Sequence, residues 1–345
     1  MARKKRKKKW KKKGFRPKRL LKLLPTPLHW LRYRVGEYCL RGFVRVLPWL
    51  PVRFLSLLTF AGGRWTYAIL RGYRTRMETN LAIAMREELP SPEERKALIR
   101  RAWGNFAQGI LETGIAMHAT KEKIISTVAI EGEEHLKRAL ARGKGVIALS
   151  AHLGNFMMIG IRLGAAGYPF SLVAKQPRDR GFARLIDEYR AQVGIATIPA
   201  NPRRAAARGV LRALRSNHIV LLIADEFKSG GVEVNFFGLA SSVPRGPATL
   251  AFRTGAAILP MFATRDANDR LTLRIEPEIE LVATDELERD VDTNTALFTG
   301  RLEAVVRRYP DQWNWLGFYR DGKKTRFEYK GSQSKPWHSR EMGRR

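Results

Sequence analysis

An α/β fold, with a mixed central sheet flanked by helices and a helical, membrane-associating segment in front of it, is what this sequence predicts. Three observations carry that expectation. From residue 144 onward, short apolar runs of strand type alternate with helix-length stretches, the pattern of a sheet with helices packed on its faces. Residues 28–71 mix Trp30, Tyr33, Trp49, Trp65 and Tyr67 with Leu, Val and Phe, while Arg45 and Arg53 interrupt the apolar runs. Finally, 345 residues at 44% hydrophobic content are enough to bury a full core.

Taken in order, residues 1–27 form a basic arm expected to lack packed structure. Lys and Arg total 64 against 32 acidic residues, a net charge of +32. Fourteen of the cations lie in residues 1–22, so the remainder still carries +18, that is 32 less 14. Such a charge calls for a polyanionic partner: nucleic acid, an anionic membrane surface or an acidic protein. No uninterrupted apolar segment with a small-residue cleavage site follows the arm, which argues against a secretory signal peptide. Residues 28–71 contain no run of the eighteen or so uncharged residues that a spanning helix needs. Aromatics, leucines and arginines around Pro48 and Pro51 instead suit helices lying in a membrane interface; a buried helical hairpin is the plainer alternative.

The main domain is expected over 72–325, with a polar basic tail at 326–345. Its first part, 72–130, reads as helical. Ser91 with Glu94 three residues on is a capping signal, and Leu98, Ala102, Phe106 and Ile110 follow at helical spacing. Strands are predicted at 146–150, 170–174, 219–224, 232–237, 257–264 and 271–281. Helices are predicted near 153–166, 180–192, 202–216, 246–254 and 292–308. Cys39 is the single cysteine, which rules out an internal disulfide and a cysteine-based metal cluster. No metal and no cofactor are expected.

Candidate chemistry starts at ALSAHLGNFMM, 148–158. His152 follows a buried-type strand in a turn with Gly154 and Asn155, at the carboxyl edge where open α/β sheets form crevices. The N–H groups at the start of the next helix are expected to face the same space and to suit an anion. Alone, a histidine in a turn is more often structural. A second apolar strand, however, ends in Asp225 and Glu226, two carboxylates that either solvate a sheet edge or share the crevice. Arg245, before Gly246 and Pro247, caps an anion at a helix start or faces solvent. Lys175, Arg178, Arg180, Arg184 and Arg190 make a basic helix and its approach.

These segments together carry a resemblance. H-L-G-N-F, the A-D-E strand end, V-E-V-N-F-F-G, P-A-T-L-A-x-R-T-G-A-A-I-L-P and the late Y-P-D-Q-W-N-W resemble bacterial lipid A biosynthesis acyltransferases, the lauroyl/myristoyl branch of the lysophospholipid acyltransferase superfamily. The N-terminal T-N-L-A-I-A and S-P-E-E-R-x-x-L-I-R-R-A-W-x-N-F look similar to the same family, so the likeness runs in order over about residues 45–320. Mycobacterial phosphatidylinositol mannoside acyltransferases share the pattern, which therefore indicates a reaction more firmly than a substrate.

The resemblance implies a glycerolipid acyltransferase-like fold. It implies a histidine acting as general base on an acceptor hydroxyl, which attacks the thioester of acyl carrier protein or coenzyme A. His152 matches that base. The family places an orienting acid five positions on, where this chain has Met157, whose thioether cannot replace a carboxylate as hydrogen-bond acceptor. Three readings compete: an acid from another strand, Asp225 or Glu226, takes over; a backbone carbonyl orients a slower enzyme; or catalysis is lost and lipid binding kept. The first is preferred, because the rest of the motif set surrounds a crevice. Arg190 matches the arginine of the family's R-x-x-x-G and is expected at an oxyanion or a phosphate, a surface arginine being the alternative. Phe236 and Phe237, with Met157 to Ile159, are expected to line an acyl channel or, more plainly, to be core.

The expected function is thus a membrane-associated O-acyltransferase, peripheral at the cytoplasmic face of a bacterial inner membrane. Its partners are an acyl carrier protein or acyl-CoA donor, a lipid acceptor such as a lipid A precursor or a related phospholipid or glycolipid, and the anionic membrane surface. A nucleic-acid-binding protein is the alternative from another class; few aromatics interleave with the arm (Trp10, Phe15) and no nucleic-acid motif appears. A silent lipid-binding homologue is the third; in it, Met157→Glu would restore some turnover and changes at Asp225 and Glu226 would alter nothing.

Overall fold

The computed structural model describes residues 27–318 except 47, 48, 178 and 228–230. The rest of the basic arm, the tail 326–345 and Arg178 lie outside the described residues. Seven strands form the main sheet: β1 Ala129–Glu131, β2 Val146–Ser150, β3 Phe170–Ala174, β4 Ile195–Pro199, β5 Ile219–Ile223, β8 Ala257–Arg265 and β9 Leu271–Ile275. Their order is β1-β9-β8-β2-β5-β3-β4, parallel throughout except for the antiparallel pair β8–β9. The sheet is mixed, as expected. Strands β6 Val232–Phe236 and β7 Leu239–Val243 form a separate antiparallel hairpin, turned by Phe237 and Gly238, both at positive φ.

Helices cover both faces. On one lie α3 Arg71–Ala84, α4 Pro92–Ala116, α9 Arg203–Arg215, α10 Gly246–Thr254 and α11 Leu287–Arg308, sharing one apolar layer with the hairpin. On the other lie α5 Lys121–Thr127, α6 Glu133–Leu140 and α7 Met157–Ala165. Helix α8 Arg180–Gln192 packs beside β4. β2 is buried at all five positions because it sits mid-sheet between β5 and β8 with helices above and below; that is why it reads as continuous VIALS, not as an alternation.

Several boundaries differ from expectation. Edge strands β1 and β4 are short and only part-buried, which leaves little apolar signal to read. β9 stops at Ile275, before Pro277, because proline cannot donate to the ladder. Helix α7 begins four residues later than predicted, since 153–156 is occupied by the turn that carries His152 toward it. Upstream, α1 Pro27–Val46 and α2 Val52–Ile69 are the two helices expected over 28–71. No described helix is long and apolar enough to cross a membrane. α2 packs on α4 and α1 touches α8, where the Tyr33 and Phe182 rings meet. Much of their apolar surface stays outside: Leu31, Val35, Phe54, Leu57, Trp65 and Ile69 are exposed, and Trp49 between the helices is 86% exposed.

Candidate active site

Strands β2 and β5 pair in parallel with Ser150 beside Ile223, and Ala224 N–H extends the ladder to Ser150 O at 2.9 Å. Carrying that register two residues further sets His152 beside Asp225 across one strand spacing, about 4.8 Å. The side chains close the gap: His152 Nδ1 lies 2.8 Å from Asp225 Oδ1, and the His152 backbone N–H donates to Oδ2 at 2.8 Å. A third N–H, from Trp313 Nε1, also reaches Oδ2 at 2.8 Å. Because a carboxylate only accepts, Nδ1 carries the proton and the basic lone pair lies on Nε2. The Asp225 side chain is 3% exposed and that of His152 34%, so the acid is sealed in the wall while the imidazole faces accessible space. Of the two adjacent acids it is Asp225 that receives the ring; Glu226 stands next to it, half-buried.

The turn after His152 is set by backbone geometry. Gly154 has φ +59°, and a Cβ there would stand 2.0 Å from Ala263 O at the end of β8, so only glycine fits. Gly154 N–H donates to Gln312 O at 2.7 Å, Asn155 N–H to Ala263 O at 2.9 Å, and Asn314 N–H to His152 O at 3.0 Å. A bridge between Leu153 and Trp313 completes the clamp. The segment 310–316 is itself anchored. The Gln312 side chain exchanges two 2.9 Å bonds with the backbone of Arg265, Asn105 Nδ2 donates to Asp311 O at 2.8 Å, and Asn80 and Arg76 donate to the carbonyls of Trp315 and Leu316.

His152, Gly154, Phe156 and Trp313 line a cavity of about 320 Å³, closed by apolar residues of α3 and α4, among them Met77, Ala102 and Phe106. The Phe156 ring meets the imidazole edge-on at 5.3 Å. Leu70, Tyr73 and Phe106 belong both to this lining and to the exposed apolar surface. The helical stripe predicted on α4 explains this: Leu98 and Ala102 are buried over the sheet, whereas Phe106 and Ile110, one and two turns further, project beyond it.

The other sequence candidates fall elsewhere. Asn155 is buried away from the imidazole; its side chain bonds Gly109 O, Thr113 and Glu112 and ties the turn to α4. The expected helix-start anion site is corrected, because α7 starts only at Met157 and the N–H groups of Gly154 and Asn155 are already taken by carbonyls. Of the two readings for Phe236 and Phe237, channel wall or core, the structure places both rings in the core. They pack with Phe227, Trp313, Trp315 and Phe318 in an aromatic cluster behind the indole that bonds Asp225. Met158 and Ile159 are likewise buried in the apolar layer on the far face of the sheet, and Met157 packs against it. Arg190 bonds Asp187 at 3.2 Å and Thr197 of β4 at 3.4 Å, which holds it three strands from β2. Arg245 pairs with Glu288 at 2.6 Å and Asp292 at 3.7 Å on α11; the Glu288 bond, first, raises its pKa further, and the side chain stays part-exposed. Lys175 is exposed just past β3. Trp313 is the residue that sequence reasoning passed over, although the motif Y-P-D-Q-W-N-W contains it.

Compared with known proteins, the chain matches the family described as bacterial lipid A biosynthesis acyltransferase over residues 26–317. It is 28% identical to a phosphatidylinositol mannoside acyltransferase of Mycolicibacterium smegmatis over 274 residues, 79% of this chain and 87% of the relative. It is 25% identical to the lipid A biosynthesis palmitoleoyltransferase of Escherichia coli over 289 residues, 81% and 90% of the two chains. The E. coli lipid A biosynthesis lauroyltransferase is 22% identical over 298 residues, 84% and 91%. With a family match of that extent around one sheet edge, the chain belongs to the bacterial lipid A biosynthesis acyltransferases and is an enzyme of that acyl-transferring kind.

Proposed function

We propose that this acyltransferase moves a fatty acyl group from the thioester of acyl carrier protein or coenzyme A to a hydroxyl of a lipid A precursor or a related phospholipid or glycolipid, with His152 as general base. The observation that carries this reading is the 2.8 Å pairing of His152 Nδ1 with Asp225 Oδ1, at the mouth of an apolar cavity large enough for part of an acyl chain. Asp225 fixes the ring's tautomer and orientation and stabilises the imidazolium as it forms. The acceptor O–H gives its proton to Nε2 as its oxygen bonds to the thioester carbonyl carbon. When the tetrahedral intermediate collapses, the C–S bond breaks and the thiolate leaves with that proton.

In this reading Asp225 supplies the carboxylate that Met157 lacks. The exposed apolar surface of α1, α2, Tyr73 and Phe106 rests in the membrane interface, so an acyl chain passes from lipid into the cavity without crossing water. The basic arm adds attraction to anionic lipids at the cytoplasmic face of a bacterial inner membrane. Purified protein is given acyl carrier protein thioester or acyl-CoA with candidate lipid acceptors, and the acylated product is scored. His152→Ala is expected to cut transfer by about 10²-fold or more; undiminished transfer would rule out the base.

A further inference from the structure

A second cavity, about 850 Å³, opens between α2 and α4 beside the His152 cavity, and Trp103 and Asn105 line both. Its character is the opposite of its neighbour's. Arg64, Arg74, Arg100 and Arg101 line it, with the Tyr67 and Trp103 rings between them. Two carboxylates share the lining, Asp269 and Asp311, so four guanidinium groups face two acids. Those acids are engaged. Arg101 lies 3.6 Å from Asp311, while Asp269 receives Gln108 at 2.8 Å and Arg265 at 3.5 Å. Arg74 is 3.8 Å from Glu78 and lies over the Tyr67 ring. Arg64 and Arg100 have no carboxylate partner among the described residues; Arg100 stands 5.7 Å over Tyr67.

We propose that this groove binds the phosphate-bearing polyol headgroup of the acyl-accepting lipid, with Arg64 and Arg100 on the phosphate. The inference rests on the acyl-transfer reading above and assigns its acceptor a place. Planar guanidinium groups suit phosphate oxygens, and aromatic faces suit the carbon face of a sugar or inositol ring. Trp103, held by its Nε1 bond to Thr66 at 3.0 Å, stands in the wall between the polar groove and the apolar cavity. An amphiphile lying across it puts its charged end among arginines and its hydroxyl-bearing edge toward His152. The phosphate is a lipid's and not a soluble donor's, because the turns of α2 that supply Arg64 and Tyr67 also expose Trp65 and Ile69, which places the groove at headgroup depth.

The test uses the full chain and the double variant R64Q/R100Q. The control is R204Q/R208Q, which removes the same charge from the exposed face of α9. Acyl transfer is measured in detergent micelles with phosphatidylinositol and with a neutral galactosyl diacylglycerol as acceptors. Binding of inositol 1-phosphate is measured calorimetrically in parallel. The expected result is a fall of about ten-fold in the kcat/KM ratio of the phosphorylated over the neutral lipid in R64Q/R100Q, with inositol 1-phosphate affinity lost by a similar factor. The control keeps both. An equal loss on both lipids, or the same loss in the control, overturns the site. If wild-type protein acylates neither lipid, neither is its acceptor, and the acyl-transfer reading is decided by the wider acceptor set above. Calorimetry alone then decides the groove: inositol 1-phosphate affinity lost in R64Q/R100Q but kept in the control upholds it, and equal affinity in all three proteins overturns it. Binding of inositol 1-phosphate without the ratio change would make it a soluble-phosphate site and overturn the acceptor assignment.

Discussion

Where β2 and β5 end, polar groups are buried and held: Asp225 receives three N–H groups from two other segments of the chain. On α1, α2 and the link between them, apolar groups are left outside, Trp49 in the link most of all. The first arrangement costs desolvation and repays it in orientation, since a sealed carboxylate with three donors holds its imidazole in one pose. The second leaves hydrophobic free energy unspent in the isolated chain and available to a lipid surface. The two meet at the His152 cavity, whose inner wall is the held dyad and whose outer wall, Leu70, Tyr73 and Phe106, continues the exposed face. Under the proposed function, chemistry and lipid delivery fall to separate layers, and each is expected to break without the other.

The largest effect is expected at the buried end. Asp225→Asn keeps the shape but lets an amide present its N–H to Nδ1, so kcat should fall by about 10²- to 10⁴-fold while vesicle binding stays as it was. A wild-type rate in that variant would remove the remote acid from the mechanism. Next comes Trp313→Phe, which leaves one carboxylate lone pair without its indole donor. A loss of about 1–3 kcal/mol of stability is expected, read as a lower melting temperature, with a smaller drop in kcat than for Asp225→Asn because the two His152 contacts to the carboxylate remain.

On the exposed side, Trp49→Ser with Trp65→Ser should leave unfolding free energy within about 0.5 kcal/mol of wild type, because both rings are already in water. Sedimentation with anionic vesicles should nevertheless fall several-fold. Retained vesicle binding would place the lipid contact elsewhere. The smallest effect lies remote from both layers. Burial first, then its 2.8 Å bond to Glu133, pushes the Tyr168 hydroxyl up to about 12 from 10.0. With the folded value above the unfolded one, that contribution to stability is complete below pH 10 and is lost as pH rises through about 12. Tyr168→Phe should therefore flatten the alkaline loss of stability between pH 10 and 12 without altering the slope at lower pH.

Much of the architecture was legible because burial writes itself into composition. VIALS and IVLLIA announce mid-sheet strands, and the capping serine at 91 does accept from Glu94 N–H at 3.5 Å. Strands β1 and β4 were invisible, since an edge strand half in water needs no apolar run. Among candidate site residues, His152 and the 225–226 pair stood out because charged or titratable groups end apolar strands. Arg190 and Arg245 stood out equally; Asp187, three residues before Arg190 on the same helix, could be read from spacing, but Thr197 and Glu288 meet them in contacts that no local pattern records. Trp313 was masked by its residue type: a tryptophan in an aromatic motif reads as core, and most of its ring is core.

The amino-acid sequence by itself determined which strands are buried on both faces, that a histidine ends one of them, and that residue 157 offers no carboxylate. The reason is local: hydrophobic period and side-chain chemistry need no partner to be read. Which acid meets that histidine was decided only by the tertiary structure. His152 and Asp225 are 73 residues apart, and their contact exists because β2 and β5 pair in parallel with Ser150 beside Ile223. A slip of one residue would turn Asp225 to the other face of the sheet. That register is a property of the whole core packed around it.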